Sequence, residues 1–375
     1  MNGTVFVLGA GASFGDTLKF LPEYKGDRRR IPPNPPLTSQ FFDLKHLHGS
    51  PESVEQHNKS LISHIRHHWS ISIPLGSKEW EHLSIEDLFT SLTLLNDFSP
   101  PGTDEKANAQ MLLNDLLRYI RRSISLSMLF RFGEYTRVLA EQLKPQDSVI
   151  NFNYDLLMDQ ELLRDNGPLQ YQNFGVKFLD ADLVKVGSEY EQIRQKLKFP
   201  ISAGSFNGRS GPSHGLYLKP HGSLNWFTCR NASCPRSQSF VVSQAIAQCL
   251  GSSTFSIDFQ CNYCHEDLTT LLVPPLAQKP ILGTPYLRNL WSNVFAVLAN
   301  AARIVIIGFS FQPSDFYASW LFRYALRHNR DAKVLVVNPD NAKDEFRNRM
   351  RAIFGDQYDG RWTGVQQIND IIQTV

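Results

Sequence analysis

The sequence predicts an α/β fold in which a parallel sheet carries a large helical insertion and a small cysteine-bearing module. Short apolar runs rich in β-branched residues recur along the chain, and those at residues 304–307 and 334–337 lack polar alternation. Such runs are typical of parallel strands covered on both faces. Residues 38–143 instead carry apolar side chains at steps of three and four, which indicates helices. Two close cysteine pairs follow in the second half of the chain.

The overall composition excludes several classes of protein. The chain has 375 residues, of which 42% are hydrophobic and 20% charged, and its formal net charge is +2. This length allows one large domain with insertions or two to three units. The near-neutral charge predicts no direct nucleic-acid binding and no attraction to a membrane surface, and no apolar run is long enough to cross a bilayer. The N-terminus lacks a signal-peptide pattern, so we expect a cytoplasmic protein.

Residues 5–8 predict the first strand, and a glycine-rich turn follows it directly. The turn contains Gly9, Ala10, Gly11 and Ser13 and leads into a predicted helix. Glycine lets a backbone approach a phosphate closely, and free N–H groups at the start of a helix attract anions. A tight strand-to-helix turn without any ligand fits this segment equally well.

Residues 21–36 are a predicted loop, because prolines at this density exclude regular structure. The loop also carries three consecutive arginines at residues 28–30. Its position beside the glycine-rich turn favours a lid, and a solvated surface excursion is the alternative.

The predicted helical segment has one clear start signal at Ser84, which is suited to cap the helix that follows it. Residues 111–143 read as one long helix or two shorter ones. We interpret His64, His67 and His68 as a partly exposed helix face, because they have no acidic or cysteine neighbour. The predicted buried face of residues 111–143 comprises Leu112, Leu116, Tyr119, Ile120, Ile124, Met128 and Leu129.

Two polar residues stand at the carboxyl end of the next predicted strand, which spans residues 149–153. Asn153 and Asp155 lie at its carboxyl end, which is where open α/β sheets bind ligands. A turn in which these side chains cap the next helix is the competing interpretation.

A histidine follows the strand predicted at residues 216–219. His221 stands between Pro220 and Gly222, which stiffens the backbone and reduces crowding around the side chain. This setting predicts an exposed, positioned imidazole, and imidazole is the side chain whose ordinary pKa suits proton transfer near neutrality. We therefore expect a functional role for His221.

The two cysteine pairs have C-x4-C and C-x2-C spacing and comprise Cys229, Cys234, Cys261 and Cys264. Four thiolates can enclose one tetrahedral zinc ion and leave no open position for chemistry, so we predict a structural zinc. Cys249 and His265 are spare candidate ligands. The long segment between the pairs departs from the usual ribbon spacing, and a reduced, metal-free loop is the alternative.

The last third of the chain returns to strand–helix alternation. Strands are predicted at residues 303–307 and 333–337, and each ends in small or polar residues. Gly308 and Ser310 follow the first of these strands, and Asn338 follows the second. Both ends therefore repeat the pattern of the first strand.

Taken in order, these motifs resemble the sirtuin superfamily. The resemblance is carried by GAGAS at residues 9–13, NYD at 153–155, KPHG at 219–222, the cysteine pairs, GFS at 308–310 and VVN at 336–338. It implies a Rossmann-like sheet that binds NAD⁺, together with a structural zinc. The implied catalytic residues are Asn153 and His221, and the implied cofactor-binding residues are Gly9, Ala10, Gly11, Ser13, Asp155, Gly308, Ser310 and Asn338.

The resemblance also implies a division of the chain into three parts. The Rossmann-like NAD-binding domain is discontinuous and comprises residues 1–37, 147–228 and 269–375. Residues 38–146 are the helical insertion, which lies outside the usual deacetylase pattern. Residues 229–268 are the zinc-ribbon-like module.

Two departures distinguish this chain from the deacetylase sirtuins. Residues 13–17 read SFGDT in place of the G-I-P-x-F-R segment. Where the deacetylases pair with an acyl-peptide through an F-G-E edge, residues 272–276 read LVPPL, and prolines cannot supply a full ladder of donors. The pattern is more similar to the sirtuin-like NAD⁺ hydrolases of bacterial anti-phage systems, which deplete the cell's NAD⁺.

The resemblance therefore implies an NAD⁺ glycohydrolase that releases nicotinamide and ADP-ribose. Asn153 would orient water and the ribose hydroxyls, and His221 would accept a proton. Related defence enzymes act as homo-oligomers, often with an Argonaute-like protein or a motor ATPase, so we expect a homo-oligomer and a possible partner of this kind. An NAD⁺-dependent protein deacylase and a non-catalytic NAD⁺ or ADP-ribose sensor are the alternatives.

Overall fold

The computed structural model describes residues 3–20, 34–47, 49–128, 131–162, 215–229, 231, 233–238, 241–242, 261, 263–266, 268–273 and 285–373. Most of the predicted lid, Leu129, Cys249 and the two prolines of the LVPPL segment lie outside the described residues.

The elements of the described residues are numbered here in chain order. The strands are β1 (Thr4–Leu8), β2 (Leu18–Phe20), β3 (Arg131–Gly133), β4 (Ser148–Asn151), β5 (Tyr217–Leu218), β6 (Gly222–Cys229), β7 (Val241–Val242), β8 (Leu268–Leu272), β9 (Arg303–Ile307), β10 (Lys333–Val337) and β11 (Tyr358–Trp362). The α-helices are α1 (Ala10–Phe14), α2 (Pro51–His57), α3 (Lys59–His68), α4 (Ile85–Phe98), α5 (Asp104–Ser127), α6 (Glu134–Gln142), α7 (Leu157–Leu162), α8 (Pro285–Ala299), α9 (Phe316–His328), α10 (Asp344–Phe354) and α11 (Ile368–Gln373).

Six strands form one parallel sheet in the order β11–β10–β9–β1–β4–β5. The predicted α/β architecture with a parallel sheet is therefore confirmed. Numbered by their order in the chain, the six strands run 3-2-1-4-5-6, so the winding reverses between β1 and β9. The turn that follows β1 and the turn that follows β9 lie next to each other.

The sheet is buried as its apolar runs predicted. Every residue of β1 and β4 is buried, and so are the last four residues of β9 and of β10. Helix α6 packs against α7 and α11, and these three helices form one group. Helix α9 packs against α8 and α10, and these three form a second group. Both groups contribute side chains to the core of the sheet, and this core sets the positions of the strand ends.

The helical segment has a hydrophobic core of its own, built from α2 to α5. Phe42 lies at its centre, where it stacks on Tyr119 at 5.0 Å and contacts Trp80 at 5.7 Å between ring centroids. Ser84 caps α4, as predicted, by accepting the Glu86 N–H at 3.1 Å. The predicted buried face of α5 is confirmed at Leu112, Leu116, Tyr119, Ile120, Ile124 and Met128.

Residues 111–143 contain two helices rather than one, because β3 separates α5 from α6. β3 pairs antiparallel with β2, and this short ribbon connects the helical segment to the sheet. Asp16 strengthens the junction, since its buried carboxylate accepts the Tyr135 and Thr136 N–H groups at 2.9 Å.

A second, antiparallel sheet has the order β7–β6–β8. Leu224, Phe227 and Leu272 of this sheet pack into the core of the helical segment, so the two regions share apolar side chains. None of the helices in the described part of the chain combines the length and hydropathy of a membrane span.

Candidate active site and metal centre

The first cluster of predicted site residues lies where β1 and β4 end. The Asn153 Nδ2 donates to the Gly9 carbonyl and to Ser13 Oγ, both at 2.9 Å, and Ser13 Oγ donates to Asp155 Oδ2 at 2.6 Å. A carbonyl only accepts, so the amide nitrogen of Asn153 must face Gly9. The amide oxygen is then the group that Asn153 presents to a ligand, as an acceptor.

Beneath this cluster lies a buried ion pair that sequence reasoning missed. Lys219 Nζ donates to Asp159 Oδ2 at 2.8 Å and to the Asp155 carbonyl at 2.6 Å, and both charged side chains are fully buried. Asp155 precedes α7 and contributes only its backbone carbonyl to Lys219, because its carboxylate accepts from Ser13 Oγ and from the Leu157 N–H, so no helical spacing of acidic side chains signalled this pair.

Two further polar residues extend the ion pair to the backbone of Asn153. Tyr217 Oη donates to Asp159 Oδ2 at 2.7 Å and accepts from Asn151 Nδ2 at 3.1 Å. Asn151 Oδ1 in turn accepts the Asn153 N–H at 3.0 Å. The side chain and the backbone of Asn153 are thus held from two directions by buried hydrogen bonds.

Burial changes the acid–base behaviour of this network. It raises the pKa of Asp155, although the Lys219 charge and the Ser13 hydroxyl oppose the shift. It also raises the pKa of Tyr217 well above its ordinary value, and the neighbouring Asp159 carboxylate adds to this effect. Tyr217 is therefore a neutral donor at physiological pH.

A small cavity of about 20 Å³ borders Ser13, Asn153 and Asp155. Its opposite wall is formed by α6 side chains, including Tyr135 and Thr136. This volume holds about one water molecule. His221 is not part of the lining.

His221 lies in different surroundings, at the end of β5. Its backbone is pinned because the Gly222 N–H bonds the Lys219 carbonyl at 3.0 Å and the Val273 N–H bonds the His221 carbonyl at 2.8 Å. The imidazole contacts Phe152 edge-on at 4.9 Å between centroids. A positioned histidine was expected, but the expected exposure was wrong, because His221 is only 6% exposed.

The reason for this burial is long-range packing. Trp291 from α8 comes within 6.3 Å of the imidazole, and Tyr154 within 6.4 Å, between ring centroids. Neither contact is visible in the local Pro-His-Gly pattern. A ligand that meets both His221 and Asn153 must therefore lie across the carboxyl ends of β4 and β5.

The glycine turn packs against the turn that follows β9. A Cβ on Gly9 would lie 2.5 Å from the Phe309 Cα, and a Cβ on Gly308, whose φ is +63°, would lie 2.1 Å from the Ala12 nitrogen. Both positions therefore require glycine for close approach of two backbones.

The same packing uses most of the N–H groups that the sequence suggested for anion binding. Gly9 donates to the Ile307 carbonyl at 3.0 Å, and Gly11 donates to the Gly308 carbonyl at 2.9 Å. Ala12 donates to the Gly9 carbonyl at 2.8 Å. Ala10 is exposed, and its N–H makes no hydrogen bond to the described residues. The Ala10 N–H is thus available to an anion.

The remaining predicted residues also follow the carboxyl ends of strands of the parallel sheet. Ser310 is half-buried just after β9. Asn338 is buried after β10, where its Oδ1 accepts the Asp340 N–H at 2.9 Å. Asn338 thus caps the following turn.

The four cysteines of the two pairs form one cluster and are positioned to bind a metal ion. Their sulfur atoms all lie within 4.8 Å of one another, although Cys264 stands 35 residues from Cys229 along the chain. Burial opposes ionisation of Cys261, but backbone N–H groups of Cys264 and Tyr263 bring its pKa down to about 7. His265 is exposed and lies outside this set.

Neither a comparison with models of protein families nor a comparison with curated proteins gave a match to this chain.

Proposed function

We propose that the chain is an NAD⁺ glycohydrolase with a Rossmann-like sheet, and that it hydrolyses the nicotinamide–ribose bond. The observation that carries the proposal is that the glycine turn, the Asn153–Asp155 pair and His221 follow the carboxyl ends of three neighbouring parallel strands, β1, β4 and β5. The strand order 3-2-1-4-5-6 is that of doubly wound dinucleotide-binding folds, in which ligands bind beyond the carboxyl ends where the winding reverses.

The chemistry required is modest, because the nicotinamide of NAD⁺ is a cationic leaving group. The C1′–N1 bond breaks with its electron pair going to the nicotinamide nitrogen, and a water oxygen attacks C1′. The Asn153 amide oxygen accepts a hydrogen bond from this water or from a ribose hydroxyl, and His221 accepts the proton released by water.

The proposed binding mode predicts an effect of Ala10→Pro. Ala10 is the first residue of α1 and Gly9 before it is extended, so proline fits there and removes only the N–H. Loss of a hydrogen bond to a phosphate is expected to weaken NAD⁺ binding on the order of tenfold to a hundredfold. Titration calorimetry measures this, with Ala10→Gly as the control that keeps the N–H. Equal affinities for both variants would exclude this turn as the phosphate site.

We propose that the metal held by the cysteine cluster is a structural zinc. A tetrahedral zinc with bonds of about 2.3 Å needs sulfur atoms about 3.8 Å apart, and the Cys234–Cys261 and Cys229–Cys264 sulfur distances are 3.8 and 3.4 Å. The purified protein is expected to carry about one zinc ion per chain.

Replacement of Cys261 by serine tests the zinc proposal by elemental analysis. The Cys261→Ser variant should lose its zinc, whereas Cys249→Ser should retain it because four other thiolates suffice. Zinc retained in both variants, or absent from the unmodified protein, contradicts the assignment.

We further propose that the helical segment mediates self-association or contact with a partner protein, for which an Argonaute-like protein or a motor ATPase is the candidate class. Unchecked NAD⁺ hydrolysis harms the host cell, so the activity needs control. The exposed apolar side chains of this segment support the proposal and are Leu44, Leu94, Leu95, Phe98 and Met111. The mass of the protein in solution tests self-association. A strictly monomeric protein would exclude self-association and leave contact with a partner protein as the role of this segment.

The central experiment is release of nicotinamide from NAD⁺ by the purified protein, with and without the products of neighbouring genes. We expect release without any acyl-lysine peptide. Release only with such a peptide would indicate a deacylase, and tight binding without release would indicate a sensor.

A further inference from the structure

Asp315, at the start of α9, faces the catalytic candidate His221. The Asp315 Oδ1 lies 3.5 Å from His221 Nε2, and the two side chains are only 12% and 7% exposed. They are 94 positions apart in the sequence, so the fold alone brings them together. The Asp315 position was not among the residues that the sequence suggested.

Asp315 does not cap the helix that it precedes. Asp315 is the N-cap residue of α9, where an aspartate side chain usually accepts a backbone N–H of the first turn. The Asp315 side chain makes no such cap bond. The carboxylate is turned toward His221 instead.

The connection before Asp315 is held in an unusual backbone conformation. Phe311 has a φ of +49°, which bulky side chains rarely adopt. Its ring is buried against Phe309 at 4.5 Å and Phe322 at 5.1 Å between centroids. Strain of this kind persists where packing enforces it and is concentrated at functional sites.

We propose that Asp315 is the positioning residue of His221: it holds the proton on Nε2, so that Nδ1 is the nitrogen that accepts a proton. This inference rests on the proposed hydrolysis. A neutral imidazole has one N–H and one acceptor nitrogen, and a carboxylate beside Nε2 favours the tautomer with its proton there.

The arrangement also accounts for the charge that develops in the reaction. As water attacks, its proton passes to Nδ1 and the imidazole becomes a cation, which the Asp315 carboxylate stabilises. Tyr154 is the other described titratable side chain in ring contact with His221. Burial, the Asp315 charge and the Glu86 charge all raise the pKa of Tyr154, so it stays neutral.

The isosteric variant Asp315→Asn tests the proposal. We expect kcat to fall at least about tenfold with little change in KM, and the acidic limb of the pH profile to move about one unit lower. The pH shift follows because the His221 imidazolium has lost its stabilising charge, and a purely structural role would not produce it. Asp315→Glu should recover part of kcat, and Asp331→Asn, at an exposed aspartate beyond α9, should behave as the unmodified protein.

Side-chain ¹⁵N resonances of His221 give a second readout that needs no turnover. We expect the Nε2–H tautomer in the unmodified protein, and a lower pKa of His221 in Asp315→Asn. If the unmodified protein releases no nicotinamide, the proposed function is overturned. The tautomer of His221 is then still decided by these resonances. Unchanged resonances, or an unchanged pH profile in an active protein, overturn the role of Asp315.

Discussion

Replacing Lys219 by methionine is expected to lower the free energy of unfolding by about 3–5 kcal/mol, because it strands the buried Asp159 carboxylate without its partner. Lys219 and Asp159 are fully buried, and Lys219 Nζ lies 2.8 Å from Asp159 Oδ2. Among the described residues Asp159 Oδ1 accepts no hydrogen bond, so without Lys219 the carboxylate keeps only the Tyr217 hydroxyl as a donor. Methionine matches the length and the apolar stem of lysine, so the loss reports the missing charge together with its two hydrogen bonds. Breaking this pair also releases the Asp155 carbonyl and loosens the support of Asn153.

Urea unfolding followed by circular dichroism measures this loss. Lys343→Met is the matched control, because Lys343 forms an ion pair with Asp340 at the surface, where its side chain is 71% exposed. Surface pairs contribute little to stability, so the control should unfold at the same urea concentration as the unmodified protein. Equal midpoints for the two variants would show that the buried ion pair does not stabilise the fold.

Replacing Asn153 by alanine is expected to reduce nicotinamide release on the order of a hundredfold to a thousandfold. The amide oxygen of Asn153 is the group presented to the ligand, since both of its N–H donors are bound by Gly9 and Ser13. The variant loses a preoriented acceptor for water or ribose. It also leaves the Gly9 carbonyl without its donor, so the fold must be checked beside the rate.

Initial rates of nicotinamide release and thermal melting are measured together for this purpose. Asn300→Ala is the control, because Asn300 is exposed and, among the described residues, its side chain bonds only the Ala296 carbonyl of the preceding helix. A loss of activity with an unchanged melting temperature assigns the effect to the reaction. Full activity of a folded Asn153→Ala variant would remove Asn153 from the mechanism.

The sequence predicted those features that local pattern determines. The strands β1, β9 and β10 follow from uninterrupted apolar runs, and the buried face of α5 follows from its helical spacing. β11 escaped prediction because YDGRW lacks an apolar run, and it is a strand only because β10 offers it an edge. Strand pairing of this kind depends on distant residues.

The candidate site was predictable to a similar extent. Polar residues at strand ends tend to meet, which indicated Asn153 and Asp155, whereas Ser13 was implied by the family resemblance. The hydrogen bonds among the three residues agree with a shared location. The burial of His221 and its approach to Asp315 depend on how α8 and α9 pack on the sheet. The short pattern around the histidine contains no information on that packing.

A crystal structure of the Asn153→Ala variant with NAD⁺ tests the central claim most directly, because slow turnover preserves the bound substrate. We expect the nicotinamide–ribose bond to lie across the carboxyl ends of β4 and β5, between the position of residue 153 and His221, with a phosphate near the Ala10 N–H. A dinucleotide bound elsewhere on the chain, with both residues away from this bond, would contradict it.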